Sequence, residues 1–410
     1  MARKLLLLLL IFSAFLMVAG CSLFNKDNVE ENNKNIYAHP KPFNMDRGKL
    51  SSLPDYDKYS NDIFQVDLRS YDLTALDLNN KFDQLIHSDF DTKTKWPFIL
   101  PENFSPKKVI EYGKNPGLGI NKLHNDGIDG RGVNVAIIGP PILVEHVEYK
   151  KQLKLYKELG FASSNASPEG TAAASILAGN STGVSPGVGL YYVAIKSGGE
   201  GSNSYSTKDA IDWIVKFNEN LPKGQKIRAI CIQEKIIEDN KNDEPYTNII
   251  ASMKKATDRD IFVISTISDK LYNTEICFKG LGRDALTDPD TPSSYLPGKS
   301  WAISFYEYGR YKTSPNMLFV PSDSRCVASP TGIKDYAFYT NNDWNFYLFY
   351  AAGLYALTCQ VKPTITPEEF IEKAVETSSK VEIINNNLKV KYKLENVASP
   401  IKLIQKLRND

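Results

Sequence analysis

Acid–base and nucleophilic chemistry in this chain has few places to reside. Its 410 residues include only four histidines, so an imidazole base must be His39, His87, His124 or His146. His146 stands two residues before Glu148, a spacing that could place two metal ligands together, or a histidine that holds its own loop. Asp284, Asp288 and Asp290 flank Pro289 and Pro292, an oxygen-rich turn that could take calcium or simply be a solvated loop. Cys231, Cys277, Cys326 and Cys359 are far apart with no CxxC spacing, which argues against a zinc cluster. Cys231 and Cys359 lie in apolar runs, where buried free thiols are expected. The stretch Ser197 to Ser202 is rich in glycine but lacks the Lys-Ser/Thr and the spacing of a phosphate-binding loop, so it reads as a surface loop. The sequence therefore predicts no cofactor and no metal centre, with structural calcium left unsupported.

Overall charge narrows the functions further. Lys and Arg number 49 against 48 Asp and Glu. Such a balance does not suit a general nucleic-acid binder, which needs a basic excess to offset phosphates. Apolar residues make up 42%, enough for a large packed core and too many for a disordered chain.

The elements that would position a site alternate along the chain. Val133 to Ile138, Gly189 to Ile195, Ile227 to Ile232 and Ile261 to Ser265 are apolar, β-branched runs of strand length. Between them, Thr171 to Leu177 is compatible with a helix. Ser206 to Leu221 carries apolar residues at helical spacing, and Pro245 opens a helix through about Ala256. Strands buried on both faces and separated by helices predict an α/β fold with a mostly parallel central sheet. Thr366-Pro367-Glu368-Glu369 is a capping box opening a late helix.

The first 20 residues read as a signal peptide. Arg3 and Lys4 precede an apolar run, Leu5 to Met17, whose 13 residues span about 20 Å as a helix, short of a bilayer core of roughly 30 Å. The run ends in Val18-Ala19-Gly20-Cys21, which resembles a bacterial lipobox. That resemblance implies a diacylated Cys21 and a lipoprotein anchored at the extracytoplasmic face of a bacterial membrane. Residues 21–48 are polar and read as a flexible tether, and residues 49–105 as an N-terminal extension. In that extension Asp67-Leu68, Asp72-Leu73 and Asp77-Leu78 recur every five residues. Three copies are few for a repeat coil, so short strands are expected there. Pro101 and Pro106 mark the boundary to a main domain, 106–410.

The order of motifs in residues 115–380 resembles the subtilisin-type serine peptidase family, with its three-layer α/β fold. Gly130-Arg131-Gly132-Val133 through Ile138 resembles the first core strand, and Ile142 and His146-Val147-Glu148-Tyr149 fall at the matching offsets beyond it. Glu169-Gly170-Thr171-Ala172-Ala173-Ala174 resembles the histidine block, and Gly183-Val184-Ser185-Pro186 the turn that follows. Counting back from Ala352-Gly353 places the nucleophile position at Asn345, after Asp343 and Trp344.

The resemblance implies a triad of aspartate, histidine and serine, and this chain has Gly139, Glu169 and Asn345 in those positions. Glycine cannot orient a base, and an amide is no acyl acceptor. A glutamate base serves in the related sedolisin family, but it needs a serine, and no Ser, Thr or Cys lies between Thr340 and Thr358. Ser268 is the nearest match to the oxyanion asparagine, and Gln233-Glu234-Lys235 replaces the glycine-rich substrate strand. The expected protein is a pseudopeptidase that binds a peptide or protein. The alternatives are an active serine endopeptidase with a divergent site, and a structural envelope protein whose cleft is filled. The rings of Phe338-Tyr339, Trp344, Phe346-Tyr347 and Phe349-Tyr350 are expected either to fill the old cleft or to offer a peptide-binding surface.

Overall fold

The computed structural model describes residues 35–410 except 59, 61, 197–202, 237–243, 269–270, 273–276, 309–316, 342–343 and 386–387. The expected signal peptide, Cys21, residues 197–202 (expected to be a loop) and Asp343 lie outside the described residues.

In chain order the elements begin with β1 (Asn35–Ile36), α1 (Phe82–Ile86), β2 (Phe90–Asp91), α2 (Pro106–Lys114) and α3 (Ile120–Asn125). An alternating stretch follows: β3 (Asn134–Gly139), β4 (Leu153–Glu158), α4 (Pro168–Ala178), β5 (Gly189–Ala194), α5 (Asn203–Glu219), β6 (Ile227–Ile232), α6 (Glu244–Thr257) and β7 (Phe262–Ile264). Next come β8 (Cys277–Arg283), β9 (Tyr295–Pro297), α7 (Lys299–Tyr308), β10 (Met317–Pro321), β11 (Arg325–Ala328) and β12 (Tyr336–Tyr339). The chain finishes with α8 (Phe346–Val361), α9 (Pro367–Glu376), β13 (Ser379–Asn385), β14 (Val390–Val397) and α10 (Pro400–Asn409).

Six strands form a parallel sheet in the order β1-β4-β5-β3-β6-β7. This is the mixed α/β architecture with a parallel central sheet expected from the alternating apolar runs. Val135 to Ile138 are all fully buried, because helices cover both faces. One face packs on α5 and α6 through Ile138, Ile211, Ile214 and Met253. The other packs on α4 and α8 through Ile137, Tyr192, Ala173 and Leu354. Helix α8 is apolar on every side, so it can only be a central helix enclosed by protein. A second, mixed sheet, β13-β14-β10-β8-β9, and a three-stranded sheet, β11-β12-β2, complete the fold.

Two expectations are corrected here. The tether expected over 21–48 ends sooner, since Asn35 and Ile36 pair with Leu155 and Tyr156 on the open edge of the central sheet. Polar composition is misleading at this point, because an edge strand is held by its backbone.

The segment around the five-residue repeat, where short strands are expected, consists of turns joined to neighbouring segments by single β-bridges at Asp67 and Asp72. The N–H groups of Tyr71, Leu76 and Lys81 donate to the carbonyls of Leu68, Leu73 and Leu78. Asp67, Asp72 and Asp77 each accept the backbone N–H two residues on, at 3.0–3.1 Å. Leu68, Leu73 and Leu78 all point into the core. In a strand, residues five apart would face opposite sides, so a one-sided five-residue period requires a turn in every repeat.

Candidate functional site

The three positions that the resemblance aligns with a triad are where strands and helices end. Gly139 closes β3, next to Ala194 of β5. Glu169 lies in the first turn of α4, where Pro168 opens the helix and Ser167 Oγ accepts the Glu169 N–H at 3.2 Å. Asn345 precedes α8 with φ 55° and ψ 41°, a left-handed conformation that asparagine tolerates better than most residues. The carboxyl ends of parallel strands are the usual place for a ligand in an open α/β sheet.

At the end of β3 two side chains fill the space beside Gly139. A Cβ added to Gly139 would lie 2.5 Å from Gln233 Oε1 and 2.9 Å from the Tyr192 hydroxyl. Gln233 follows β6, and its Nε2 donates to the Glu169 carbonyl at 3.1 Å. Tyr192 donates from β5 to the Pro140 carbonyl at 2.7 Å. Burial pushes the Tyr192 phenol well above its ordinary value, so it stays a neutral donor. A side chain at position 139 would thus require the ends of Gln233 and Tyr192 to move. Sequence reading singles out Gln233 as a departure from the family pattern, but not its inward turn against Gly139.

The Asn345 position opens on a different group of residues. A cavity of about 10 Å³ is lined there by Gly280, Gly298, Ser300, Ser322, Asp323 and Tyr347. That is room for about one water and no substrate. The two serines reach this position from chain segments distant in sequence, and nothing near Asn345 signals them. Ser268 is buried in a turn after β7. Its Oγ accepts the Ser265 N–H at 2.7 Å and donates to the Ser265 carbonyl at 2.9 Å, which commits its proton within the turn.

The aromatic block is covered by the chain's own extension. Trp344 packs 4.9 Å from Tyr339 and 5.9 Å from Phe64, centroid to centroid. Arg69 lies over the rings of both Phe64 and Tyr339 and donates to the Tyr339 hydroxyl at 2.8 Å. The same guanidinium makes a two-pronged pair with Asp67, both contacts at 2.7 Å. Phe64 and Arg69 carry no sequence signal of this role.

The remaining candidates have structural partners. His146 is buried, with Nδ1 accepting the Glu148 N–H at 3.2 Å and Nε2 donating to the Asp335 carbonyl at 2.9 Å. Asp290 accepts from Asn115 and from the Gly119 N–H, while Asp288 accepts from the Asp290 N–H and Thr291. Among the described residues no group of three or more His, Cys, Asp or Glu gathers in a way that could hold a metal. Cys231, Cys277, Cys326 and Cys359 are free thiols, three of them buried.

Glu148 anchors the loop that follows. It accepts from Ser181 at 2.6 Å and from Tyr336 at 2.5 Å. Burial pushes its carboxyl up, but these hydrogen bonds outweigh burial and hold it below the usual glutamate range. The folded value is depressed, so the stability it contributes is present above the unfolded value, about 4.3. That contribution is lost as pH falls through the folded value. Acid unfolding of Glu148→Gln should accordingly show a shallower loss of stability below about pH 4.3 than the parent. Equal slopes in urea titrations at several pH values would contradict this.

No protein-family model matches the sequence, and no curated protein matches it. Among solved structures the chain is similar to the prenylagaramide maturation protease PagA, at 14% identity and a TM-score of 0.49, over 71% of this chain and 99% of that one. It is also similar to a cold adapted subtilisin-like serine proteinase, at 14% identity and a TM-score of 0.43, over 66% of this chain and 90% of the other.

Proposed function

We propose that residues 115–380 form a subtilisin-like domain that does not cleave peptides and serves as a peptide- or protein-binding module. Its place is the extracytoplasmic face of a bacterial membrane, to which an acylated Cys21 attaches it. The order of motifs along the chain, with Gly139 at a strand end and Glu169 and Asn345 at helix starts, supports the family reading. One observation carries the loss of activity: Gln233 and Tyr192 occupy the space that a side chain at position 139 would need. The lipid attachment rests on the Val18-Ala19-Gly20-Cys21 motif, and two acyl chains are about what stable anchoring takes.

The test is incubation of the purified mature chain with a broad peptide library and a fluorophosphonate probe. No cleavage and no covalent labelling are expected. Reproducible cleavage abolished by Ser300→Ala or Ser322→Ala would instead establish an active divergent site. Cys21→Ser should move the protein from the membrane to the soluble fraction, and unchanged membrane association would exclude the lipid anchor.

A structural envelope role is the second reading. It is favoured by Phe64 and Arg69, which cover the aromatic block that would otherwise be the natural peptide surface. A chain that neither cleaves nor selects any peptide would leave this reading standing.

A further inference from the structure

One of the two larger cavities among the described residues lies outside the positions that the resemblance aligns with the triad. About 400 Å³ opens between the N-terminal extension, β8, β9 and α7, at the lower end of the usual size for a ligand site. It shares Asp323 with the small space at Asn345. Its apolar walls are Ile86, Leu296, Ala302 and Ile303.

Its charges cancel. Lys58, Arg283 and Lys299 face Asp284, Asp323 and Glu307. A phosphate or nucleotide would need a basic excess, and a divalent cation an acidic one. Arg283 is buried and already donates to the carbonyls of Asp284, Ala285, Thr287 and Ser324, so it supplies no free fork for a carboxylate. The chemistry favours a neutral ligand with an apolar group.

At the rim, the rings of Tyr56 and His87 stack in parallel, 4.0 Å apart and 6° from coplanar. His87 Nδ1 donates to the Asp83 carbonyl at 2.8 Å and lies 3.7 Å from the Asp83 carboxylate, so in the neutral ring Nε2 is the acceptor. Burial raises the Tyr56 phenol to about 12, so its hydroxyl keeps its proton and can donate. Within the described residues neither Tyr56 Oη nor His87 Nε2 has a hydrogen-bond partner. One acceptor beside one donor matches the N–H and C=O of a peptide backbone.

We propose that this cavity binds a peptide segment, with one apolar side chain inserted between α7 and β9 and its backbone amides meeting Tyr56 and His87. The proposal rests on the binding role argued above and gives it a location apart from the degenerate triad.

The test is selection of blocked hexapeptides (acetylated and amidated) on the full mature chain carrying Cys21→Ser. Selected peptides are expected to share one aliphatic or aromatic residue. Ala302→Trp, which fills the cavity from half-exposed α7, should weaken them by tenfold or more. Tyr56→Phe, which removes one hydroxyl, should weaken them about three- to tenfold, the worth of one hydrogen bond. Peptides that bind both variants as tightly as the parent would overturn the location while leaving the binding role intact. Absence of any selected peptide would overturn both. Binding of inorganic phosphate or chitotriose in place of peptides, sensitive to Ala302→Trp, would overturn the ligand class.

Discussion

Replacing Gly139 by aspartate is expected to destabilise the fold by about 2 kcal/mol and to confer no peptidase activity, even combined with Glu169→His and Asn345→Ser. Overpacking costs about 1–3 kcal/mol, because the ends of Gln233 and Tyr192 must move to admit the new side chain. The first atom of the new side chain would lie 2.5 Å from Gln233 Oε1 and 2.9 Å from the Tyr192 hydroxyl, both fully enclosed. Against a total stability of about 5–15 kcal/mol, that is a large share. Asn345→Ser adds a smaller cost, because serine is less at ease than asparagine at φ 55°. Adding Gln233→Gly should recover part of the loss, and the coupling between positions 139 and 233 should exceed about 1 kcal/mol. Urea unfolding of the four members of that cycle measures it. An unchanged midpoint for Gly139→Asp would mean that the position is open and the inactive reading has lost its main support.

Arg69→Ala should cost about 2 kcal/mol, the usual worth of charge-assisted hydrogen bonds at a partly buried pair, since Asp67 keeps Arg47 as a second cation at 2.7 Å. The side chain is 11% exposed and its loss strips a partner from Asp67, from the Tyr339 hydroxyl and from two ring faces. The expected consequence is local: the extension should become sensitive to trypsin and Trp344 fluorescence should shift to the red, before the central sheet melts. Arg69→Lys should restore less than half of the loss, since an ammonium cannot make the two-pronged pair with Asp67. A variant within about 0.5 kcal/mol of the parent and equally resistant to protease would show that Arg69 is an ordinary surface residue.

What could be read from the sequence follows from range. The buried strands, the proline-opened helices and the capping box at Thr366 depend on neighbours a few residues apart, and the structure places them as the patterns predict. The contact of Arg69 with Tyr339 spans 270 residues and leaves no local trace. Gln233 announces that something has changed, but a glutamine can face solvent or core, and only the space vacated at Gly139 decides which. The aspartate–leucine period was legible, while its conformation was not, because three repeats are as short as a pair of strands. The polar residues from Asn35 onward hide an edge strand, because backbone pairing needs no particular side chain.

The coil of turns over Asp67 to Lys81 has a consequence for how this chain can vary. Each turn closes on its own aspartate and its own leucine carbonyl, and the N–H groups of Leu68, Leu73 and Asp72 tie the stack to the carbonyls of Asp89, Lys95 and Gly48. Insertion or removal of five residues would add or subtract a whole storey and leave every leucine inside. A change of four or six would rotate the next leucine out to water. Length in this segment is therefore quantised, and relatives of the chain should differ here by multiples of five or not at all.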